Sequence, residues 1–224
     1  MAAKGASPGG TPKEFAGAPE ATELVFALCH ELGNLMGAVR LYAHLIDDEM
    51  GPKELARTSI DLDDLSARSA ALLSLVRPLL SGRPRSLETL PVARLIQTVQ
   101  GLMAGHGGRG TRLDFEAPED SSMVHADATT LQRLIENFLY AALDSTSGAG
   151  LVSVRAVVMG DEVAVELEDD GPESEDPAGF REQMQRGRPL LCSVADRLLQ
   201  AQGGRLEAER DSGRTQIRLV LAAV

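Results

Sequence analysis

The stretch Ala27-Leu28-Cys29-His30-Glu31-Leu32-Gly33-Asn34-Leu35-Met36-Gly37 decides how the first part of the chain folds. Apolar residues recur along it and beyond it at positions 28, 32, 35, 39, 42 and 46, in alternating steps of four and three. This spacing predicts a helix with one apolar seam, packed in a bundle. His30 lies off the seam, and Asn34 follows it one helical turn later.

Two glycines, Gly33 and Gly37, interrupt the same predicted helix. Each costs about 1 kcal/mol relative to alanine in a helix interior, and packing in a bundle does not require either of them. Because glycine has no Cβ, it allows another molecule to approach the backbone closely. We therefore interpret Gly33 and Gly37 as a partner-docking surface beside an exposed and reactive His30.

Other interpretations of His30 compete with this one. A single histidine on a helix surface is usually an ordinary polar residue. A zinc-binding HExxH motif is excluded because Asn34 occupies the second histidine position. A catalytic Cys29–His30 pair is disfavoured because neighbouring side chains on a helix diverge. The other histidines lack a comparable setting: His44, His106 and His125.

The first helix is expected to run from about residue 19 to about Asp48, and the break at Gly51-Pro52 starts a second one over residues 52–80. The inward positions of the second helix also step by three and four: Leu55, Thr58, Leu62, Leu65, Ser69, Leu72, Val76 and Leu79. The two helices then form an antiparallel hairpin. One hairpin cannot bury both of its apolar flanks, which predicts a homodimer held by a four-helix bundle.

Beyond a Pro- and Gly-containing linker at residues 81–86, the pattern changes to mixed helices and strands. Helices are predicted over 92–104, 128–146 and 190–202, and strands over 111–116, 123–125, 151–158, 161–168, 205–210 and 216–222. The chain therefore divides into a disordered tail at 1–18, a helical hairpin at 19–80 and an α+β domain at 87–224.

Composition limits the classes of partner. The net charge of −11 argues against nucleic acid and anionic membranes. No apolar run approaches 18 residues and the N-terminus lacks a signal peptide, so no membrane-spanning segment is expected. Cys29 and Cys192 have no metal-ligand spacing and are expected to be reduced thiols. These features together predict a cytoplasmic protein.

The order of these motifs resembles the transmitter of bacterial sensor histidine kinases, a dimerisation and histidine-phosphotransfer hairpin followed by a GHKL-type ATPase domain. Residues 30–34, His-Glu-Leu-Gly-Asn, resemble the H-box of that family. The helix that leads to Asn137 resembles the N-box, Asp169-Asp170-Gly171-Pro172 resembles the G1 box, and residues 198–204 resemble the end of the helix after the G2 box. The resemblance implies an α+β fold in which a dimeric four-helix bundle precedes an α/β sandwich.

The sequence departs from the family where Mg-ATP would bind. The asparagine that holds magnesium in the N-box is replaced by Ala141. The three glycine positions of the G2 box are occupied by Gly187, Pro189 and Leu191. Proline has no N–H group to donate, and leucine brings a side chain to a place where backbone N–H groups would meet phosphate.

A few residues of the nucleotide site remain. Asp169 is the acid that reads adenine in the family, so Asn137, Asp169 and Gly171 are interpreted as vestiges of that site. Asp127 and Asn137 also have simple structural interpretations, as a helix N-terminal acid and as a polar residue satisfied within the fold. We favour these interpretations because the neighbouring metal ligand is missing.

A good H-box beside an eroded ATPase domain is similar to ChpT-type histidine phosphotransferases, which pass phosphoryl groups between the receiver domains of response regulators. This resemblance implies that His30 carries the phosphoryl group. Glu31 is expected to hydrogen bond the imidazole, and Asn34 to hydrogen bond phosphate oxygens or orient a water. The expected partners are receiver domains, with a hybrid histidine kinase as a further candidate, and the receiver would supply Mg²⁺, so no cofactor or metal is expected in this chain.

Two alternatives stay open. One is an ATP-dependent sensor histidine kinase with divergent nucleotide boxes, which would need a magnesium ligand to replace Ala141. The other is a non-catalytic module that binds receiver domains through the same bundle surface. Formation of a stable phosphohistidine at His30 separates this last alternative from a phosphotransferase.

Overall fold

A computed structural model describes residues 20–46, 50–81, 86–104, 111–118, 122–146, 150–170, 188–211 and 214–224. The predicted tail at 1–18 and most of the predicted linker lie outside these ranges. The described elements follow one another in this order: α1 (Ala21–Leu45), α2 (Pro52–Ser81), β1 (Glu88–Pro91), α3 (Val92–Met103), β2 (Arg112–Glu116), β3 (Met123–Ala126), α4 (Ala128–Ser145), β4 (Leu151–Met159), β5 (Glu162–Asp169), α5 (Arg188–Gln200), β6 (Arg205–Asp211) and β7 (Arg214–Ala222).

The helices α1 and α2 form the expected hairpin and pack along each other. At the start of α1, the backbone N–H of Glu20 donates to the carboxylate of Glu23 at 3.3 Å, which satisfies a group that the helix itself leaves free. The helix ends at Leu45, a little before the expected end near Asp48. Pro52 opens α2, where its missing N–H costs nothing.

The two apolar seams are buried unevenly along the hairpin. At the open end, the core contains seam residues and neighbours from both helices: Leu24, Leu28, Leu72, Leu75 and Leu79. Toward the turn, the seam positions Ile46 and Leu55 remain 41% and 44% exposed. The buried leucines of the hairpin therefore lie where it meets the rest of the chain, whereas near the turn the seam position Thr58 is buried, at 8% exposed.

Helix α1 is also long and apolar enough to cross a membrane, by length and composition alone. Its best window has a mean hydropathy of 1.3, and 11% of that window is buried. This helix has no uninterrupted apolar run of that length, but it mixes apolar residues with few charged ones. A bundle helix with an uncovered apolar face satisfies the same criterion, so the expectation that no segment spans a membrane stays a prediction.

The C-terminal part is a layer of helices on a five-stranded sheet with strand order β2-β4-β5-β7-β6. The pair β2–β4 is parallel, and the other neighbours are antiparallel. A separate two-stranded antiparallel sheet joins β1 to β3. The helices α3, α4 and α5 contact the five-stranded sheet, and alternate strand residues such as Val154, Val165 and Leu219 are buried beneath them.

The α+β order expected from the sequence is confirmed, with two local differences. Strand β1 was missed, because it has four residues and ends in Pro91, which cannot donate to a sheet. Strand β7 starts at Arg214, two residues earlier than predicted, since it pairs with β6 directly across the turn. The turn between β4 and β5 contains Gly160 with φ 68°, a conformation that favours glycine.

The hairpin and the sandwich share one core. Helix α2 packs against α4 and α5, and α1 packs against α5. The buried leucines of the hairpin therefore belong to the same cluster as residues of the sandwich, among them Ile135 and Leu198. This contact places the open end of the hairpin against the α4–α5 side of the C-terminal domain.

Candidate functional site

His30 lies on α1, two residues after the buried Leu28, and is exposed. Its exposure follows from the seam, because residues 28 and 30 point to different sides of a helix. Gly33 and Gly37 are also exposed, and a Cβ added at either position would meet no atom within 4 Å. The structure thus brings an accessible imidazole and an open stretch of helix backbone onto one helix.

The carboxylate of Glu31 has a different partner from the one expected. It accepts a hydrogen bond from the side-chain amide of Asn34, at 3.5 Å, rather than one from His30. Adjacent helical residues diverge, whereas residues three apart share a face, so Glu31 reaches Asn34 more easily than the neighbouring imidazole. The Glu31–Asn34 pair is exposed and long, which leaves both side chains free to reorient when a partner binds.

Asn137, the residue that resembles an N-box asparagine, forms a hydrogen bond within its own helix. Asn137 is 8% exposed, and its amide donates to the carbonyl oxygen of Arg133 in the same helix at 2.8 Å. Ala141 follows one turn later, with no side-chain atom that could bind a metal. Asp127 caps α4, its carboxylate accepting from the N–H of Thr130 at 3.0 Å, as the simpler interpretation predicted.

Asp169 ends β5, directly across the sheet from Thr215 on β7, and both residues are 4% exposed. The next residue, Asp170, is tied to the start of β4, because its carboxylate accepts from the N–H of Leu151 at 2.6 Å. The end of β5 is therefore held in place on both sides. Gly171 and Gly187 lie outside the described residues.

The segment aligned with the glycine-rich G2 box is helical from Arg188 onward. Leu191 is 6% exposed and belongs to the hydrophobic core, as does Cys192. The part of this segment that the structure describes thus contributes side chains to the core.

Sequence reasoning missed a polar cluster between α2 and α4. The guanidinium of Arg68 lies over the ring of Tyr140, 5.5 Å from its centroid. On the same helix, Arg68 pairs with Asp64 at 3.4 Å. The spacing of residues 64 and 68 indicates a helical ion pair, but no signal in the sequence indicates a contact between residues so far apart.

Residues 126–223 match the family model of histidine kinase-, DNA gyrase B- and HSP90-like ATPases. The C-terminal domain has the GHKL ATPase fold. A curated relative, the C4-dicarboxylate transport sensor protein DctB of Pseudomonas aeruginosa, is 25% identical over 198 residues. The alignment covers 81% of this chain and 32% of DctB, so the chain spans about a third of that relative.

Solved histidine kinase structures share this fold. The catalytic domain of the kinase ThkA matches with a TM-score of 0.53 at 18% identity, over 61% of this chain and 97% of its own. The Acinetobacter baumannii kinase AdeS matches with 0.58 at 15% identity, over 86% of this chain and 97% of AdeS.

A match to ThkA in complex with the response regulator TrrA extends over 90% of this chain and 61% of that one, with a TM-score of 0.58 at 18% identity. These likenesses confirm the resemblance to histidine kinases at the level of the fold. The narrower resemblance to phosphotransferases stays a prediction.

Proposed function

We propose that this chain is a two-component signalling protein that carries a phosphoryl group on His30. The observation that carries the proposal is the exposed imidazole beside Gly33 and Gly37, where no described atom lies within 4 Å of an added Cβ. The hairpin that bears His30 is joined to a GHKL fold, and the match to the kinase AdeS extends over 86% of this chain.

The proposed step is a transfer between His30 and the aspartate of a receiver domain. A nitrogen of the neutral imidazole attacks phosphorus, the P–N bond forms, the P–O bond of the acyl phosphate breaks, and the carboxylate leaves. The resulting phosphoimidazolium then releases the proton on its other ring nitrogen to solvent. Mg²⁺ on the receiver would neutralise the phosphoryl oxygens, while this chain supplies the nucleophile and its orientation.

Asn34 and Glu31 are proposed to act as a pair. Asn34 stands one turn from His30 and can donate its amide to a phosphoryl oxygen. Glu31 holds that amide by accepting its other N–H group. In this arrangement Glu31 acts through Asn34, not through the imidazole.

We propose a receiver domain as the phosphoryl donor in preference to ATP. Ala141 supplies no magnesium ligand, and Leu191 is packed into the core at a glycine position of the phosphate loop. Each lost contact costs a kcal/mol or more, and about 3 kcal/mol lowers affinity more than a hundredfold.

An ATP-dependent histidine kinase is the second candidate, and the comparisons favour it. The curated relative is described as a sensor protein, and the matched structures as histidine kinases. The ThkA–TrrA complex supports a response regulator as the partner in either case. The two candidates differ in the source of the phosphoryl group and share His30.

The hairpin is proposed to dimerise with a second copy. Large apolar side chains are exposed on both helices: Phe26, Met36, Leu41 and Leu45 on α1, and Leu55, Ile60, Leu73 and Leu80 on α2. A second hairpin placed against them would complete a four-helix bundle and remove this apolar surface from water.

The deciding experiment presents two donors to the full chain, a phosphorylated receiver domain and labelled Mg-ATP. We expect an acid-labile label on the wild type from the receiver alone, none on His30→Ala, and wild-type labelling of the control His44→Ala, which alters another exposed histidine of α1. Labelling from ATP would establish the kinase. Receiver binding without any label would establish a non-catalytic binding module, and equal labelling of His30→Ala would remove His30 as the site.

A further inference from the structure

Five charged or aromatic side chains meet where α2 packs against α4. Asp64 and Arg68 come from one turn of α2, and Arg133, Glu136 and Tyr140 come from adjacent turns of α4. Their spacing of three and four residues places each set on a single helix face. The contact between these faces of α2 and α4 depends on tertiary packing and could not be predicted from the sequence.

The cluster is partly removed from solvent, with Asp64 and Arg133 at its more exposed edge, 28% and 39% exposed. The side chain of Arg68 is 19% exposed and that of Glu136 is 5% exposed. Glu136 is held within α4 by Arg133 at 2.6 Å and by Gln132 at 2.8 Å. Arg68 spans the gap by placing its guanidinium over the Tyr140 ring. Cation–π contacts gain strength when they are desolvated in this way.

Charged groups on both helices surround Tyr140. Burial raises the pKa of its phenol, the carboxylates of Asp64 and Glu136 raise the pKa further, and Arg68 and Arg133 oppose them. Tyr140 therefore stays neutral at physiological pH. Its ring faces charges from α2 as well as from its own helix.

Beside this cluster the contact is apolar. Leucines of the hairpin and residues of the sandwich form one core, in which α5 touches both α1 and α2. Apolar burial is non-directional, so leucines specify the register of α4 on α2 less sharply than polar contacts of fixed geometry do. A cation over a ring and charges at fixed spacing select one register.

We propose that Asp64, Arg68, Glu136 and Tyr140 form an interdomain latch that fixes the ATPase-like domain in one position on α2. Asp64 and Arg68 lie on α2, and Glu136 and Tyr140 lie on α4, the helix that contains the residues similar to the N-box. Asn137 and Ala141 lie on the neighbouring face of α4, so the latch also fixes where the vestigial nucleotide face points relative to the hairpin.

The latch and His30 lie at similar positions along the axis of the hairpin. About fifteen residues separate His30 from the end of α1, and a similar number separate Arg68 from the start of α2. In an antiparallel hairpin with a short connection, the two residues are then at about the same level. A receiver that docks at His30 would meet the domain in this fixed position; this last point rests on the proposed function, while the latch itself does not.

The test is hydrogen exchange on the full chain for Arg68→Met, Tyr140→Leu, the double variant and the control Arg77→Met. Arg77 is an exposed arginine on the same helix, outside the cluster. We expect exchange at least tenfold faster in residues 21–28 and 70–80 for both single variants, with unchanged exchange in β4, β5 and β7. The double variant should show no more than the larger single effect, and Arg77→Met should match the wild type.

Three results would overturn the latch: no change in either single variant, a parallel loss of protection in the sheet, or an effect of the double variant equal to the product of the singles. The first would mean that the leucines alone hold the domain, and the second that the cluster supports only global stability. His30→Ala serves as the second reference, because it should lose phosphotransfer with unchanged exchange. Hydrogen exchange therefore tests the latch, and the phosphotransfer assay tests the proposed function, so that either can fail without the other.

Discussion

At the scale of single residues, Gly37 offers the sharpest test of the docking surface. A Cβ at this position meets no atom within 4 Å, so Gly37→Ala should stabilise α1 by about 1 kcal/mol. Gly37→Leu should fold equally well, but it should reduce labelling by a phospho-receiver at least tenfold because the side chain obstructs the partner. Thermal unfolding and the transfer assay measure the two effects, and a Gly37→Leu protein with wild-type transfer would show that no partner approaches here.

Glu31→Gln tests the revised role of the carboxylate. Glutamine can still accept a hydrogen bond from Asn34, but without a charge, so the rate of transfer to His30 should fall only a few-fold. Asn34→Ala should then lower the rate at least as much, and the double variant should resemble Asn34→Ala alone. Independent, multiplying effects would indicate that Glu31 acts on the imidazole after all.

The residue scale also shows what the sequence can and cannot predict. The exposure of His30 and the capping role of Asp127 follow from local spacing, and the structure agrees with both. The contact of Glu31 with Asn34 follows from the three-residue spacing on one helix face, and the expected hydrogen bond between Glu31 and the imidazole stays a prediction. The contact of Arg68 with Tyr140 could not be predicted, since it depends on how two distant helices pack.

At the scale of elements, the outer face of the sheet contains a nearly buried carboxylate. Glu166 on β5 is 2% exposed and lies between Arg155 on β4 and Arg218 on β7, the latter at 2.8 Å. Burial raises the pKa of Glu166, but the hydrogen bonds from Arg218 and Arg155 lower it more, so that it lies below the usual 4.5. Three strands are thus joined by one ionised group.

Glu166→Gln should destabilise the fold by about 3 kcal/mol at pH 7, because two guanidinium groups lose their charged partner. A carboxyl whose pKa is lower in the folded state contributes its full stability above about pH 4.5. That contribution is lost as the pH falls through the folded pKa. Urea denaturation should therefore show the gap between wild type and variant narrowing below pH 4.5, while Glu116→Gln, an exposed control on β2, shows no gap at either pH.

The junction of α5 and β6 depends on two glycines with different requirements. A Cβ at Gly204 would lie 2.4 Å from the carbonyl oxygen of Val220, whereas Gly203 has open space but a φ of 77°. Gly204→Ala should therefore cost about 3 kcal/mol through the backbone clash, and Gly203→Ala about 1 kcal/mol through conformational strain. Equal losses in chemical denaturation would contradict this assignment.

Periodicity predicted most elements because their apolar residues repeat at helical or strand spacing. Helix α2 and strands β4 and β5 lie within two residues of their predicted limits. Strand β1 escaped prediction because four residues ending in proline carry no periodic signal. Strand β1 pairs with β3, which lies more than thirty residues later in the chain. A strand this short is stabilised by its partner and not by its own sequence pattern.

At the scale of the whole molecule, sequence spacing predicted a hairpin and a sandwich but not how they meet. The periodicity of an amphipathic helix shows which face is apolar and must be buried, but it does not show which other element buries that face. In the structure, buried leucines at the open end of the hairpin are covered by the sandwich. Among the described residues of the hairpin, uncovered apolar surface remains near the turn and on outward positions of the open end such as Phe26, Leu73 and Leu80.

That remaining surface predicts where a second copy binds. Ile60 is 67% exposed on α2 and Leu41 is 60% exposed on α1, so neither supports the fold of one chain. Burying such a side chain contributes about 1.5–3 kcal/mol, and in a symmetric dimer each substitution counts twice. Ile60→Glu and Leu41→Glu should each weaken dimerisation at least a hundredfold.

Analytical ultracentrifugation over a range of concentrations measures this directly. The matched control is Leu102→Glu, which alters a 49% exposed leucine on α3 of the sandwich and should leave the dimer intact. Leu62→Glu is less informative, because Leu62 is half-buried within the hairpin and its loss would also disturb the single chain. A wild-type chain that sediments as a monomer at micromolar concentration would rule out the dimer. Dissociation by Leu102→Glu alone would instead place the contact between copies on the sandwich.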